Sequence, residues 1–266
     1  MKHLTLAGFS LLAVASAARG TPTVLTIDQS QSSVNVTLCL TACSTQCGTD
    51  SSPVAGSIIL SADCLTNPTA LTLYDYTLQL TRSMAFHLNY GTFCGRFDAT
   101  TSNVAFHYAT PGTPQPPTPL SGGSFSYTNV PQNASGTMSY TSTNLVCAGL
   151  QANGRPCSDT IDLSTLGTES VTLNGSFSAS GRTLNVTINI NSSGPIDPNN
   201  PGLGTLTTVG TIKASGVVPL PSIDDFVGVL TGTVTAQDLI CESDINQDGL
   251  TDGRDVSAYV HALLGS

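Results

Sequence analysis

Leu184-Asn185-Val186-Thr187-Ile188-Asn189-Ile190 decides the fold. Apolar and polar residues alternate through the whole stretch. Successive side chains of a strand point to opposite faces, so this period of two gives one apolar face and one polar face. Val186, Thr187, Ile188 and Ile190 are also β-branched, which suits a pleated surface. The same alternation recurs at Val34-Asn35-Val36-Thr37-Leu38, Leu71-Thr72-Leu73 and Leu78-Gln79-Leu80, and more loosely from Val229 to Val234. No amphipathic helix is expected before residue 253. The expected body is therefore all-β, an antiparallel sandwich or barrel.

The punctuation between these runs agrees. Gly followed by Ser or Thr recurs at Gly56, Gly123, Gly136, Gly175, Gly204, Gly210 and Gly232, and reads as turn exit into a strand. Thr110 to Leu120 carries five prolines and cannot form a central strand. It either divides two lobes, 21–109 and 121–218, or leaves and re-enters one continuous body, which is the preferred reading. Gly194 to Gly204 reads as a second exposed loop.

At the front, Lys2 and His3 precede an apolar run, Leu4 to Val14, and the small residues Ala15-Ser16-Ala17. This is the pattern of a secretory signal over residues 1–17. The run is shorter than the roughly 20 residues that span a bilayer. A secreted or cell-surface location is expected, with no membrane span. The chain carries 17 acidic against 8 basic residues, net charge −9. So few bases argue against a nucleic-acid partner. The eight cysteines are even in number, which in an exported chain favours disulfides. Cys147 and Cys157 bracket a short Gly/Pro segment and are the expected local bridge. Cys39, Cys43 and Cys47 lack a partner pair at zinc spacing.

One constellation carries specific chemistry: Asp244-Ile245-Asn246-Gln247-Asp248-Gly249-Leu250-Thr251-Asp252-Gly253-Arg254-Asp255. Oxygen side chains at alternate positions can curl around a hard cation, and Gly249 allows the turn that follows. Asp244, Asn246, Asp248, the Leu250 carbonyl and Asp255 are the expected calcium ligands, with Asp252 acting through water. Paired carboxylates about 4 Å apart repel by about 4 kcal/mol at an effective dielectric near 20, and a dication reverses that sign. Val256, Tyr259, Val260, Leu263 and Leu264 share one face of the helix expected next.

This segment, Cys241 to Leu264, resembles the dockerin family, whose loops run Asp-x-Asn-x-Asp-Gly and close on Asp before a helix. The resemblance implies calcium at the same residues and docking to another secreted or surface protein. Family members normally carry two such units, and this chain shows one; Thr251 stands where a branched apolar residue is usual. Leu25-Thr26-Ile27-Asp28-Gln29-Ser30-Gln31-Ser32-Ser33-Val34 resembles the first strand of YceI-like β-barrels, which enclose long isoprenoid lipids. The layout as a whole resembles secreted planctomycete-type proteins with a β-rich body, here 18–235, and a terminal dockerin-like unit, here 236–266.

Catalytic patterns are sparse. There is no Gly-x-Ser-x-Gly elbow and no His-Glu-x-x-His helix. Asp75 and Asp98 are available as a carboxylate pair, and His87, Cys94 and His107 as a metal set, but each reads more simply as a strand residue. The first functional expectation is a non-catalytic, calcium-binding protein for surface association or scaffolding. An accessory role in polysaccharide breakdown, with tyrosines replacing the missing Trp, is the second. A barrel carrying an apolar ligand is the third, and an interior cavity lined by alternate apolar residues would favour it.

Overall fold

A computed structural model describes residues 20–196 and 200–265; the signal-like residues 1–17 lie outside them. Among the described residues, eight strands close into an antiparallel ring. In ring order they are β2 (Ser33–Thr41), β3 (Thr45–Ala62), β4 (Ala70–Leu80), β6 (Arg96–Tyr108), β8 (Ser124–Ser142), β10 (Thr168–Ser180), β11 (Thr183–Pro195) and β12 (Gly204–Val217). β12 then pairs with β2, Thr205 opposite Cys39 and Thr211 opposite Ser33, which removes both sheet edges. The all-β body is thus a barrel. Its inner face is apolar and its outer face is Asn, Thr and Ser, the reverse of a lipid-facing barrel.

Three staves are interrupted. β1 (Thr23–Ile27) pairs with the second half of β3, and β2 with the first, so the two form one broken strand. β5 (Ala85–Asn89) continues β4 along β6. β9 (Ser158–Asp162) and a 3-10 turn, Leu163–Leu166, precede β10 along β8. One seam is incomplete. β10 and β11 pair only from Asn174 opposite Asn189 to Ser180 opposite Thr183. Beyond that point Thr168–Leu173 pairs with β8 and Ile190–Pro195 with β12, leaving a slot in the wall.

The glycine motif turns out to serve bends as well as turns. Gly56 and Gly136 lie inside the long strands β3 and β8 at φ of 130° and 99°. A Cβ on Gly136 would sit 2.5 Å from the Asn103 carbonyl oxygen, where the β6–β8 register slips by a bulge. Such bends let strands of 18 and 19 residues curve around a barrel.

The Pro-rich segment 110–120 joins two strands of the same ring, so there is one continuous body. It folds back on β4 through Gln115 N–H to the Leu73 carbonyl (2.8 Å) and a two-residue edge strand, β7 (Thr118–Pro119). Among the described residues four helices precede residue 253, against expectation: α1 (Gly91–Cys94), α2 (Asn144–Ala152), α3 (Ile223–Leu230) and α4 (Gln237–Ser243). The Val229–Val234 alternation is also not a strand; it is the end of α3 and a turn at Gly232, φ 73°. Ser222 caps α3 by accepting from Asp225 N–H at 3.1 Å, and Asp224 and Asp225 favour its N-terminus. Those local signals outweigh a short alternation. The run of helices that caps the barrel starts at Ile223.

Four disulfides join Cys39–Cys47, Cys43–Cys94, Cys64–Cys241 and Cys147–Cys157. The last is the expected local bridge, and the set fits an oxidising compartment. No described helix is long and apolar enough to cross a membrane.

Candidate functional site

The acidic loop hangs between α4 and α5 (Asp255–Leu264). Asp244 ends α4 and Asp255 opens α5, and both carboxylates are buried, 5% and 0% exposed. Asp255 Oδ1 accepts from Ile245 N–H (2.8 Å) and Asn246 N–H (3.0 Å), and its Oδ2 from Asp252 N–H (2.9 Å). Asp244 accepts from Asp248 N–H (3.1 Å) and Gly249 N–H (3.0 Å). Gln247 and Gly249, at φ of 61° and 88°, make the turn. Asn246 Oδ1 and Asp248 Oδ1 accept from loop N–H groups at 2.9 and 3.0 Å. Arg254, an exposed residue of the loop, lies 3.5 Å from Asp248.

The donor chemistry suits a hard cation: two buried carboxylates, one half-exposed, an amide oxygen and a main-chain carbonyl. The carboxylates are spent on loop N–H groups rather than gathered at one point; among the described residues no three Asp, Glu, His or Cys side chains form a metal-holding cluster. Leu250 is 59% exposed. Thr251 has its own role, donating to the Ile240 carbonyl at the end of α4 (2.7 Å). An apolar residue there would leave that carbonyl unmet.

The unit is fixed to one end of the barrel. Cys241 bridges to Cys64 in the β3–β4 connection, and Thr66 Oγ1 donates to Asp244 Oδ2 at 2.9 Å. Thr21 binds Glu242 through both its N–H and its hydroxyl. Arg182, between β10 and β11, reaches the Glu242 carbonyl (2.8 Å), the Val218 carbonyl (3.0 Å) and the Pro219 carbonyl. Burial pushes its guanidinium pKa down, and Glu242 partly restores it. α3 and α5 stack Phe226 on Tyr259 at 4.2 Å, and Tyr259 donates to the Pro221 carbonyl. Only Tyr259 of the expected helix face is covered; Val256, Val260, Leu263 and Leu264 stay 43–72% exposed.

The barrel interior divides into two halves. Near the helical cap it is filled: Leu25, Ile58, Leu71, Tyr76, Tyr108, Leu184 and Ile212 are at most 2% exposed. Burial raises the phenol pKa of Tyr76 and Tyr127, whose hydroxyls bind Gln132 and the Leu71 carbonyl. The other half holds an apolar cavity of about 270 Å³. β2 supplies Val34, Val36 and Leu38 to its wall; β4, β5 and their connection supply Leu80, Phe86 and Met84. β6 and β8 add Val104, Phe106, Ala134 and Met138. Gln132, bonded to Tyr76 at 3.0 Å, lies where the cavity meets the filled half. Leu163 and Leu166 of the 3-10 turn, with Glu169 and Leu206, border the incomplete seam; Leu166 and Leu206 are 58% and 43% exposed. The barrel end beyond is covered by α2, through buried Val146 and Leu150.

Most of these residues escaped sequence reading. Phe86-His87-Leu88 alternates and would have revealed β5. β8 alternates poorly because Pro131 to Gly136 is polar and bent.

The other candidates are dispersed. Cys94 is bonded to Cys43. His87 Nδ1 lies 2.8 Å from Asp98, which also pairs with Arg96 at 3.0 Å on the exposed surface. His107 contacts Thr77 and Ser135 instead; it stands about 30 Å from Asp98 along β6 at about 3.3 Å per residue. Asp75, on β4 opposite Ile59, is as remote from Asp98. Tyr76, Tyr108, Tyr127 and Tyr140 are buried and offer no sugar-stacking platform. The chain matches no protein-family model and no curated protein.

Proposed function

We propose that this chain is a secreted or surface binding protein whose barrel holds a small apolar molecule, with a calcium-ordered helical unit sealing the far end. The single observation that carries this reading is the cavity of about 270 Å³, walled by alternate inward residues and reached through the β10–β11 seam. Empty apolar cavities are dry, and one of about 150 Å³ takes up benzene. By that scale this one accepts on the order of ten carbon atoms. A long isoprenoid needs more room. The acidic loop supports calcium by its oxygen donors, and calcium there would steady the packing of α4 and α5 rather than perform chemistry. The exposed apolar residues of α3 and α5, such as Val227 and Leu264, favour a second reading in which the unit also contacts another secreted protein.

The test is titration with naphthalene, a neutral ten-carbon probe, followed by its fluorescence. Saturable one-to-one binding is expected, and Ala134→Phe, which fills the cavity, should abolish it at a cost of about 1–3 kcal/mol in stability. Absence of saturable binding, or unchanged binding by the filled variant, would sink the reading.

A further inference from the structure

Among the described residues, Glu169 is the one charged residue in the wall of the apolar cavity. It stands on β10, opposite Gln132 of β8, at the stretch where β10 has lost β11 as a neighbour. Strand parity puts it on the same side as Val171 and Leu173, yet it is exposed, because the seam opens there. The cavity thus has an apolar interior and a carboxylate at its rim. Among the described residues no Lys or Arg lines it, and the chain carries 17 acidic against 8 basic residues.

A single-chain amphiphile fits this asymmetry with its tail inside and its head at Glu169. A carboxylate head would meet the Glu169 charge with no base to offset it. An ammonium head would meet an opposite charge. Resting on the cavity reading above, we infer that the slot selects a single-chain alkylammonium of roughly ten carbons over the fatty acid of equal length. Gln132 and Thr208, also in the wall, can satisfy a polar group near the head but do not discriminate by charge.

The full chain is tested with decylammonium, decan-1-ol and decanoate, each below its self-association concentration, by displacement of naphthalene. In low salt, decylammonium should bind about tenfold more tightly than decanoate, with decan-1-ol between them. The gap should narrow at 0.15 M salt, where charges are screened beyond about 8 Å. Glu169→Gln, at an exposed position, should bring the gap below about threefold. Decanoate binding as tightly as decylammonium overturns the inference, as does a gap that survives Glu169→Gln. If naphthalene binds and none of the decyl compounds do, the chain-like ligand is wrong but the cavity reading stands. If naphthalene also fails, both fall.

Discussion

Asp255→Ala should loosen the helical unit without loosening the barrel. The Asp255 carboxylate is fully buried and accepts from three main-chain N–H groups at 2.8, 3.0 and 2.9 Å. A hydrogen bond to a charged group contributes about 1.5–3 kcal/mol. Asn246 is exposed, so water can replace the carboxylate on its N–H; Ile245 and Asp252 are half-buried and lose more. Two effective bonds make the local cost about 3–6 kcal/mol. Because Cys64–Cys241 holds the unit in place, that cost should appear as local opening rather than global unfolding. Hydrogen exchange read by mass spectrometry should show protection across 244–264 falling at least a hundredfold, at about 1.4 kcal/mol per tenfold. Amides of β4 and β11 should be unaffected. Asp255→Asn keeps one acceptor oxygen and should fall about half as far. Calcium should raise protection in the native chain and not in Asp255→Ala. Unchanged exchange at 244–264, or equal loss throughout the barrel, would refute the reasoning.

Replacing Cys64 and Cys241 together by Ala removes a bridge spanning 177 residues and should cost up to about 5 kcal/mol in urea unfolding, less where the other bridges already restrict the chain. Asp50 is held down to a pKa of about 2, first by its bond to Arg82 and then by the Ala85 N–H. Its contribution is therefore present above the ordinary carboxylate value near 3.8 and is lost as pH falls through about 2. Asp50→Asn should lower stability by on the order of 1 kcal/mol at pH 7 and very little at pH 2, measured by thermal melts at both. Tyr259→Phe removes the hydrogen bond to the Pro221 carbonyl but keeps the Phe226 stack, and should cost about 1 kcal/mol, confined to the helical unit in exchange measurements.

The barrel staves were legible wherever a strand is straight and half-buried. Leu184 to Ile190 lies in β11, and Val34 to Leu38 in β2, with inward residues buried as alternation requires. Legibility failed where the chain bends. Gly136 and the bulge at Asn103 interrupt the period within β8 and β6, so two of the cavity's walls looked like loop. The short helices carry too few residues for a helical period to outrank nearby β-branched runs. Closure into a ring could not be read at all, since it depends on β12 meeting β2 across more than 160 residues. Of the acidic loop, spacing foretold the helix that follows it, which begins at Asp255. It did not foretell that Thr66, Arg182 and Thr21 hold the unit against the barrel, because those contacts join distant segments.

That attachment sets an order on how the molecule can be made. The first described residues lie beneath Glu242, with a Cβ on Gly20 only 2.0 Å from the Ala62 carbonyl oxygen. Cys64 has no partner until Cys241 has left the ribosome and entered the same oxidising space. This bridge consequently forms only after the 177 residues that separate its cysteines have been delivered. A chain truncated before the helical unit would carry an unpaired Cys64 thiol, open to mixed disulfides. Pairing of Cys64 thereby requires that the stretch up to Cys241 has been made and delivered.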